Sequence, residues 1–222
     1  MRRLAIFAIA ACAGLAAPAQ SQPAPPGKPE KENANPCRDE VSAALQKLRK
    51  SSWFRMTTSM ITESGPTAMQ VDYVLPDKMH QKVTVQSTQQ SSEVILVGEE
   101  GWSMEGADGW KPLPNDIVQE LKSQMQANVV EHQAETGNYS CKGRTDFEGK
   151  DVFSYKLEDQ PEKDSTAPKN EAFRMFYVDA VTGLPVSNAL LVPGRETKPI
   201  FKAVYAYPLD IKIEPPKDVS GK

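Results

Sequence analysis

Histidine and cysteine are scarce in this chain, and their scarcity removes most familiar catalytic and metal-binding designs. Only His80 and His132 occur in 222 residues. Neither has a second histidine nearby in sequence, so solvated or hydrogen-bonded structural roles are the better reading for both. The three cysteines, Cys12, Cys37 and Cys141, form no C-x-x-C pair, which argues against redox catalysis and cysteine-cluster zinc binding. No metal and no cofactor is expected. Blocks of Lys or Arg are missing as well, and the net charge of −3 offers no face for nucleic acid. Glycine-rich phosphate loops and zinc helix motifs are absent. Gly101-Trp102-Ser103-Met104-Glu105-Gly106 superficially resembles a nucleophile elbow, but its second glycine comes one residue late and no helix follows the serine. Glu99, Glu100 and Glu105 flank turns, where exposed acids are common. Nothing recommends an enzyme; an unrecognised hydrolase would need one of these carboxylates or a histidine in a cleft.

Apolar runs of membrane-spanning length are also lacking. Residues 1–19 read instead as an export signal: Arg2 and Arg3 form a basic start, residues 4–16 are continuously apolar, and Ala17-Pro18-Ala19 offers a cleavage site. Losing it would carry the net charge from −3 to −5. The expected location is a bacterial periplasm, with no transmembrane segment after signal removal. A rival lies in the same segment. Ile9-Ala10-Ala11-Cys12 resembles a lipobox, in which Cys12 would be acylated and tether the protein to a membrane. Cleavage near Ala19 leaves Cys37 and Cys141, an even pair in an oxidising compartment, for which a disulfide is the default and two buried thiols the alternative. Closing a loop of roughly 100 residues would restrain the unfolded chain by about 4–5 kcal/mol.

Residues 20–35 are proline-rich and polar, with no apolar period, and read as an extended linker. A helix follows, with Asn35 as N-cap, Pro36 at its first position and an apolar stripe of Val41, Ala44, Leu45 and Leu48. Cys37 falls in its first turn. Strands are expected at 52–62, 67–75, 78–87, 93–98 and 101–104, with a short piece at Trp110. A second helix then carries Asp116 and Gln119 in capping-box spacing and Ile117, Leu121, Met125 and Val129 on one stripe. Further strands are expected at 138–147, 151–158, 171–179, 185–192, 199–207 and 210–214, with an exposed hairpin loop at 159–170. Strands without crossover helices imply antiparallel pairing.

The apolar side of the early strands is rich in methionine. Phe54, Met56, Thr58 and Met60 share one parity, and Met69, Val71, Tyr73 and Leu75 another. Methionine is flexible and polarizable, so such a face suits varied apolar partners, although it also fills gaps in an ordinary core. Trp53, Trp102 and Trp110 fit either a cavity wall or the core.

The order of these pieces resembles the outer-membrane lipoprotein carrier (LolA/LolB-like) superfamily. The helix with Leu45 and Leu48 leads into Ser52-Trp53-Phe54, then comes Tyr73-Val74-Leu75-Pro76, then Lys78-Met79. Val94-Ile95-Leu96-Val97-Gly98 precedes Gly101-Trp102. Phe176-Tyr177-Val178-Asp179, Thr182-Gly183-Leu184-Pro185 and Ile211-Lys212-Ile213-Glu214-Pro215-Pro216, with Val219, complete the match over most of 37–219. The resemblance implies an α+β fold: a strongly curved antiparallel sheet, an open half-barrel, with helices covering its concave face. It also implies a lipid or acylated cargo, no cofactor, and a cell-envelope protein as donor or acceptor. One departure is that Leu75, not a basic residue, precedes Pro76.

A single domain over 36–219 and a monomer are expected. The ligand-binding wall, taken from parity, is Phe54, Met56, Met60, Met69, Val71, Tyr73, Met79, Val83 and Leu96. Trp102, Met104, Phe173, Met175 and Tyr177 would continue it. Leu45 and Leu48 on the first helix, and Leu121 and Met125 on the second, would form a lid. The alternative is a non-catalytic structural or protein-interaction module of the envelope with a filled interior.

Overall fold

The computed structural model describes residues 34–131, 137–158 and 172–219. The expected signal, Cys12, the linker but for its last two residues, His132 and the loop at 159–170 lie outside the described residues. Helix α1 (Pro36–Arg49) starts as its sequence dictates: the Asn35 side chain accepts the Arg38 N–H at 2.8 Å, and Pro36 occupies the first turn. Asp39 near its start and Lys47 and Arg49 near its end suit the helix dipole.

Six strands follow: β1 (Trp53–Thr62), β2 (Gly65–Val74), β3 (Lys78–Val85), β4 (Gln90–Val97), β5 (Glu100–Glu105) and the short β6 (Lys111–Pro112). Helix α2 (Asn115–Met125) runs on into a π-helical turn, Gln126–Val130. The second series is β7 (Asn138–Phe147), β8 (Lys150–Glu158), β9 (Phe173–Asp179), β10 (Pro185–Leu191) and β11 (Phe201–Ala206). All eleven join one antiparallel sheet in the order β6-β5-β4-β3-β2-β1-β11-β10-β9-β8-β7. Each series is a hairpin meander, and the first and last strands pair to join them. The edges, β6 and β7, do not meet, so the curved sheet stays open, with α1 and α2 on one face: the α+β half-barrel expected.

Two local expectations need correction. No capping box forms at α2: Pro114 holds the cap position without a side-chain bond, and Gln119 instead donates to Glu99 at 3.0 Å. Residues 210–214 are not a strand. They belong to a strap that crosses the outer face, where Ile213 is buried with Ile95 and Trp102, and Ile211 and Val219 pack alongside. Pro215 and Pro216 lack the N–H groups a ladder needs, and the apolar alternation here serves burial against a finished sheet.

Candidate functional site

Strand register fixes which side chains share a face. Phe54, Tyr73, Met79, Leu96 and Gly101 are successive partners from β1 to β5, and Met56, Val71, Gln81, Val94 and Ser103 form the next row. Across the central seam, Met56 pairs with Tyr205, Thr58 with Ala203 and Met60 with Phe201. This is the helix-covered inner face. Leu48 of α1 and Val118 and Met125 of α2 are buried in one cluster with Phe54, Met69, Val71, Tyr73, Met79 and Leu96. Met56, Met60, Val83, Leu121 and Tyr205 pack on it partly buried. Nine of the expected wall residues and three of the four lid residues are therefore brought together. Leu45 lies in a second cluster on the same face, where Val41 and Ala44 of α1 meet Tyr155, Phe176 and Val178.

The other five expected wall residues lie on the outer face. Trp102 pairs with Ile95 and Met104 with Glu93, both facing away from the helices. The two-residue turn between β4 and β5 matches odd with even numbers, so parity switches there and Gly101 takes the inner position. Met175 is buried with Ala189 and Leu191, and Phe173 and Tyr177 pack on them, with Tyr177 stacked on Phe147 at 4.3 Å between centroids. Their inner-facing neighbours are Arg174, Phe176 and Val178. The seam residues Tyr205, Ala203 and Phe201 join this face through a pairing of first and last strands that carries no local signature; their shared parity marks only a one-sided strand.

Burial along the inner face is graded. The row Phe54, Tyr73, Met79 and Leu96 is filled, from 0 to 8% exposed. Towards the other strand ends Thr58, Thr67, Met69 and Val71 stay buried, while Met56, Met60, Val83, Val94, Leu121 and Val129 keep part of their surface accessible. Burial raises the pKa of the Tyr205 hydroxyl, with Arg174 and Arg49 opposing it, yet that side chain too is only partly shielded from solvent.

The two helices are held differently. α1 is linked by the Cys37–Cys141 disulfide, with Cα atoms 5.4 Å apart. The Tyr155 hydroxyl also donates to Glu40 at 2.6 Å, and the Asn35 amide donates to the Tyr139 carbonyl at 3.0 Å. α2 buries only Val118 and Met125, and its polar ties run through exposed Glu99, which accepts from Gln119 and Lys122. Beside its start lies a cleft of about 440 Å³ lined by Glu99, Glu100, Leu113, Pro215 and Pro216 among others.

The outer face is polar across its middle. Arg55 and Asp72 form a two-point ion pair at 2.6 and 2.7 Å. His80 donates to Glu93 at 2.9 Å and Lys82 pairs with the same carboxylate at 2.9 Å, so His80 has the hydrogen-bonded role expected of it. Among the described residues no group of three or more His, Cys, Asp or Glu side chains could hold a metal, and no helix is long and apolar enough to cross a membrane.

No family model matches the chain, and no curated protein matches it. Solved structures do. Lipoprotein LppX of Mycobacterium tuberculosis aligns at 12% identity and a TM-score of 0.54, covering 82% of this chain and all of its own. LprF of Mycobacterium bovis aligns at 10% identity and a TM-score of 0.51, covering 82% of this chain and 98% of its own. At such identity the likeness is one of fold alone, the open half-barrel that the sequence resemblance implies.

Proposed function

We propose that this chain is an exported, non-enzymatic binding protein of the cell envelope that holds acyl-chain cargo on the inner face of its half-barrel. The observation that carries this reading is the graded inner face: a methionine-lined apolar surface left partly uncovered, beneath a helix held by few contacts. The single domain over 36–219, the monomeric state and the periplasmic location belong to the same proposal, with the tether through Cys12 as its variant. The lid role expected of both helices narrows to α2, since a disulfide fixes α1.

The energies are compatible with opening. Two fully buried side chains on α2, Val118 and Met125, contribute about 1.5–3 kcal/mol each, and Leu121 and Val129 less. At about 0.8 kcal/mol per buried CH₂, roughly eight methylenes would offset the loss of those contacts. The wall proposed is Phe54, Met56, Met60, Met69, Val71, Tyr73, Met79, Val83 and Leu96, extended across the seam by Tyr205.

The filled row from Phe54 to Leu96 favours the rival, a protein-interaction module with a plugged interior. Native mass spectrometry of protein purified from its own periplasm separates the two. Retained lipid of defined mass is the expected result; a consistently bare polypeptide would sink the carrier. The same spectrum reads the mature N-terminus and so decides between cleavage after Ala19 and acylation of Cys12.

A further inference from the structure

The inner face carries a few polar side chains, such as Gln81 and Ser103, and one group of them includes cations and unsatisfied atoms. Among the described residues, three buried side-chain atoms have no hydrogen-bond partner: Thr58 Oγ1, Asn188 Oδ1 and Arg49 Nη1. Thr58 is 1% exposed and both it and Asn188 pair with Ala203, so they face inward with only a methyl group between them. Two strand spacings, about 10 Å, separate their backbones. Arg174 points to the same face one row away, through Leu190 and Phe201 to Met60. Arg49 ends α1, next to Leu48, whose side chain is buried in the inner-face cluster on which Tyr205 packs.

Neither arginine makes an ion pair among the described residues, whereas Arg55 and Arg144 each hold an aspartate. A helix C-terminus explains a cation at position 49. It does not explain a buried guanidinium nitrogen without an acceptor on the helix that covers this face, where a hydroxyl and an amide are also unsatisfied, since such groups are costly unless something completes them. A planar guanidinium binds carboxylate or phosphate oxygens in pairs. The Thr58 hydroxyl can donate, and the Asn188 amide, turned over, presents its NH₂.

We infer that the cargo is an anionic amphiphile, whose carboxylate or phosphate head is held by Arg49 and Arg174 with Thr58 and Asn188, while its tail runs along Met60, Met69 and Val83 towards α2. This rests on the binding function proposed above and adds the class of head group.

The test is displacement of the neutral dye N-phenylnaphthylamine from the intact mature protein by dodecyl phosphate, dodecanol and inorganic phosphate. Dodecyl phosphate should act at about tenfold lower concentration than dodecanol, the value of one added charged hydrogen bond. Arg49→Gln and Arg174→Gln should each shrink that gap while leaving dodecanol unchanged. Arg174 is exposed on its strand, so its variant keeps the experiment decisive should Arg49→Gln fold poorly. Equal displacement by the two amphiphiles, or a gap unaltered in a folded Arg174→Gln protein, would overturn the head-group assignment and leave acyl binding standing. Inorganic phosphate competing as well as dodecyl phosphate would show a small-anion site and overturn it too. Failure of both amphiphiles to displace the dye would remove the binding function itself.

Discussion

At the scale of single residues, the outer face makes a prediction about pH. Glu93 is mostly shielded, and burial pulls its pKa upward, but hydrogen bonds and charge from Lys82 and His80 outweigh that and hold the carboxyl below its usual range. A carboxylate with a depressed folded pKa stabilises the fold above its unfolded value, near 4.3, and loses that contribution as pH falls through the folded value. Lys82 is half exposed, so solvent screening limits the pair, and Glu93→Gln should cost about 1 kcal/mol or less at pH 7. Urea midpoints of the two proteins should converge below pH 4; a constant offset at both pH values would show that packing, and not charge, holds this carboxylate. Residue faces were legible in the sequence wherever strand parity ran unbroken. Phe54 with Met56, and Met69 with Val71 and Tyr73, fall as alternation requires. The pattern misled at Trp102 and Met104, because which numbers pair depends on the turn, and at β9, where both faces are apolar and alternation cannot say which is inside.

At the scale of elements, α1 was legible almost to the residue, since a capping Asn35, Pro36 and a four-residue stripe all act locally. α2 was less so: Pro114 displaced the side-chain cap, and of its two buried positions Met125 lies on the expected stripe while Val118 lies outside it. Gly101 explains that packing, because a Cβ there would lie 2.9 Å from Val118 Cγ2 and 3.2 Å from Leu113 Cδ1. A side chain on β5 would hold α2 away from the sheet. The disulfide sets the contrast between the helices. It spans 104 residues, bridging the two series of strands through α1, and its loss in a Cys37→Ser/Cys141→Ser protein should cost about 2–4 kcal/mol in denaturant. Hydrogen exchange should then quicken at the start of α1 while α2, already the weaker element, changes little. Equal loosening of both helices would contradict their independent attachment.

At the scale of the whole molecule, the seam between β1 and β11 could not be read from the chain, since strands about 140 residues apart carry no local sign of their pairing. That seam gives the sheet two faces with different duties. Outside, the strap seals Ile95 and Trp102 under Ile213, each at most 8% exposed, which is packing for stability. Inside, Met60 lies on the ligand face and is left partly accessible. Opposite consequences follow for two substitutions. Ile213→Ala should lower unfolding free energy by about 2–4 kcal/mol and shift tryptophan emission to the red, with dodecyl phosphate binding unaltered. Met60→Glu should change stability by less than about 1 kcal/mol, since its site already meets water, yet weaken that binding at least tenfold by setting an anion against an anionic, apolar cargo. If Met60→Glu bound as wild type while Ile213→Ala lost binding, the cargo would lie under the strap, and the inner face would be only a core.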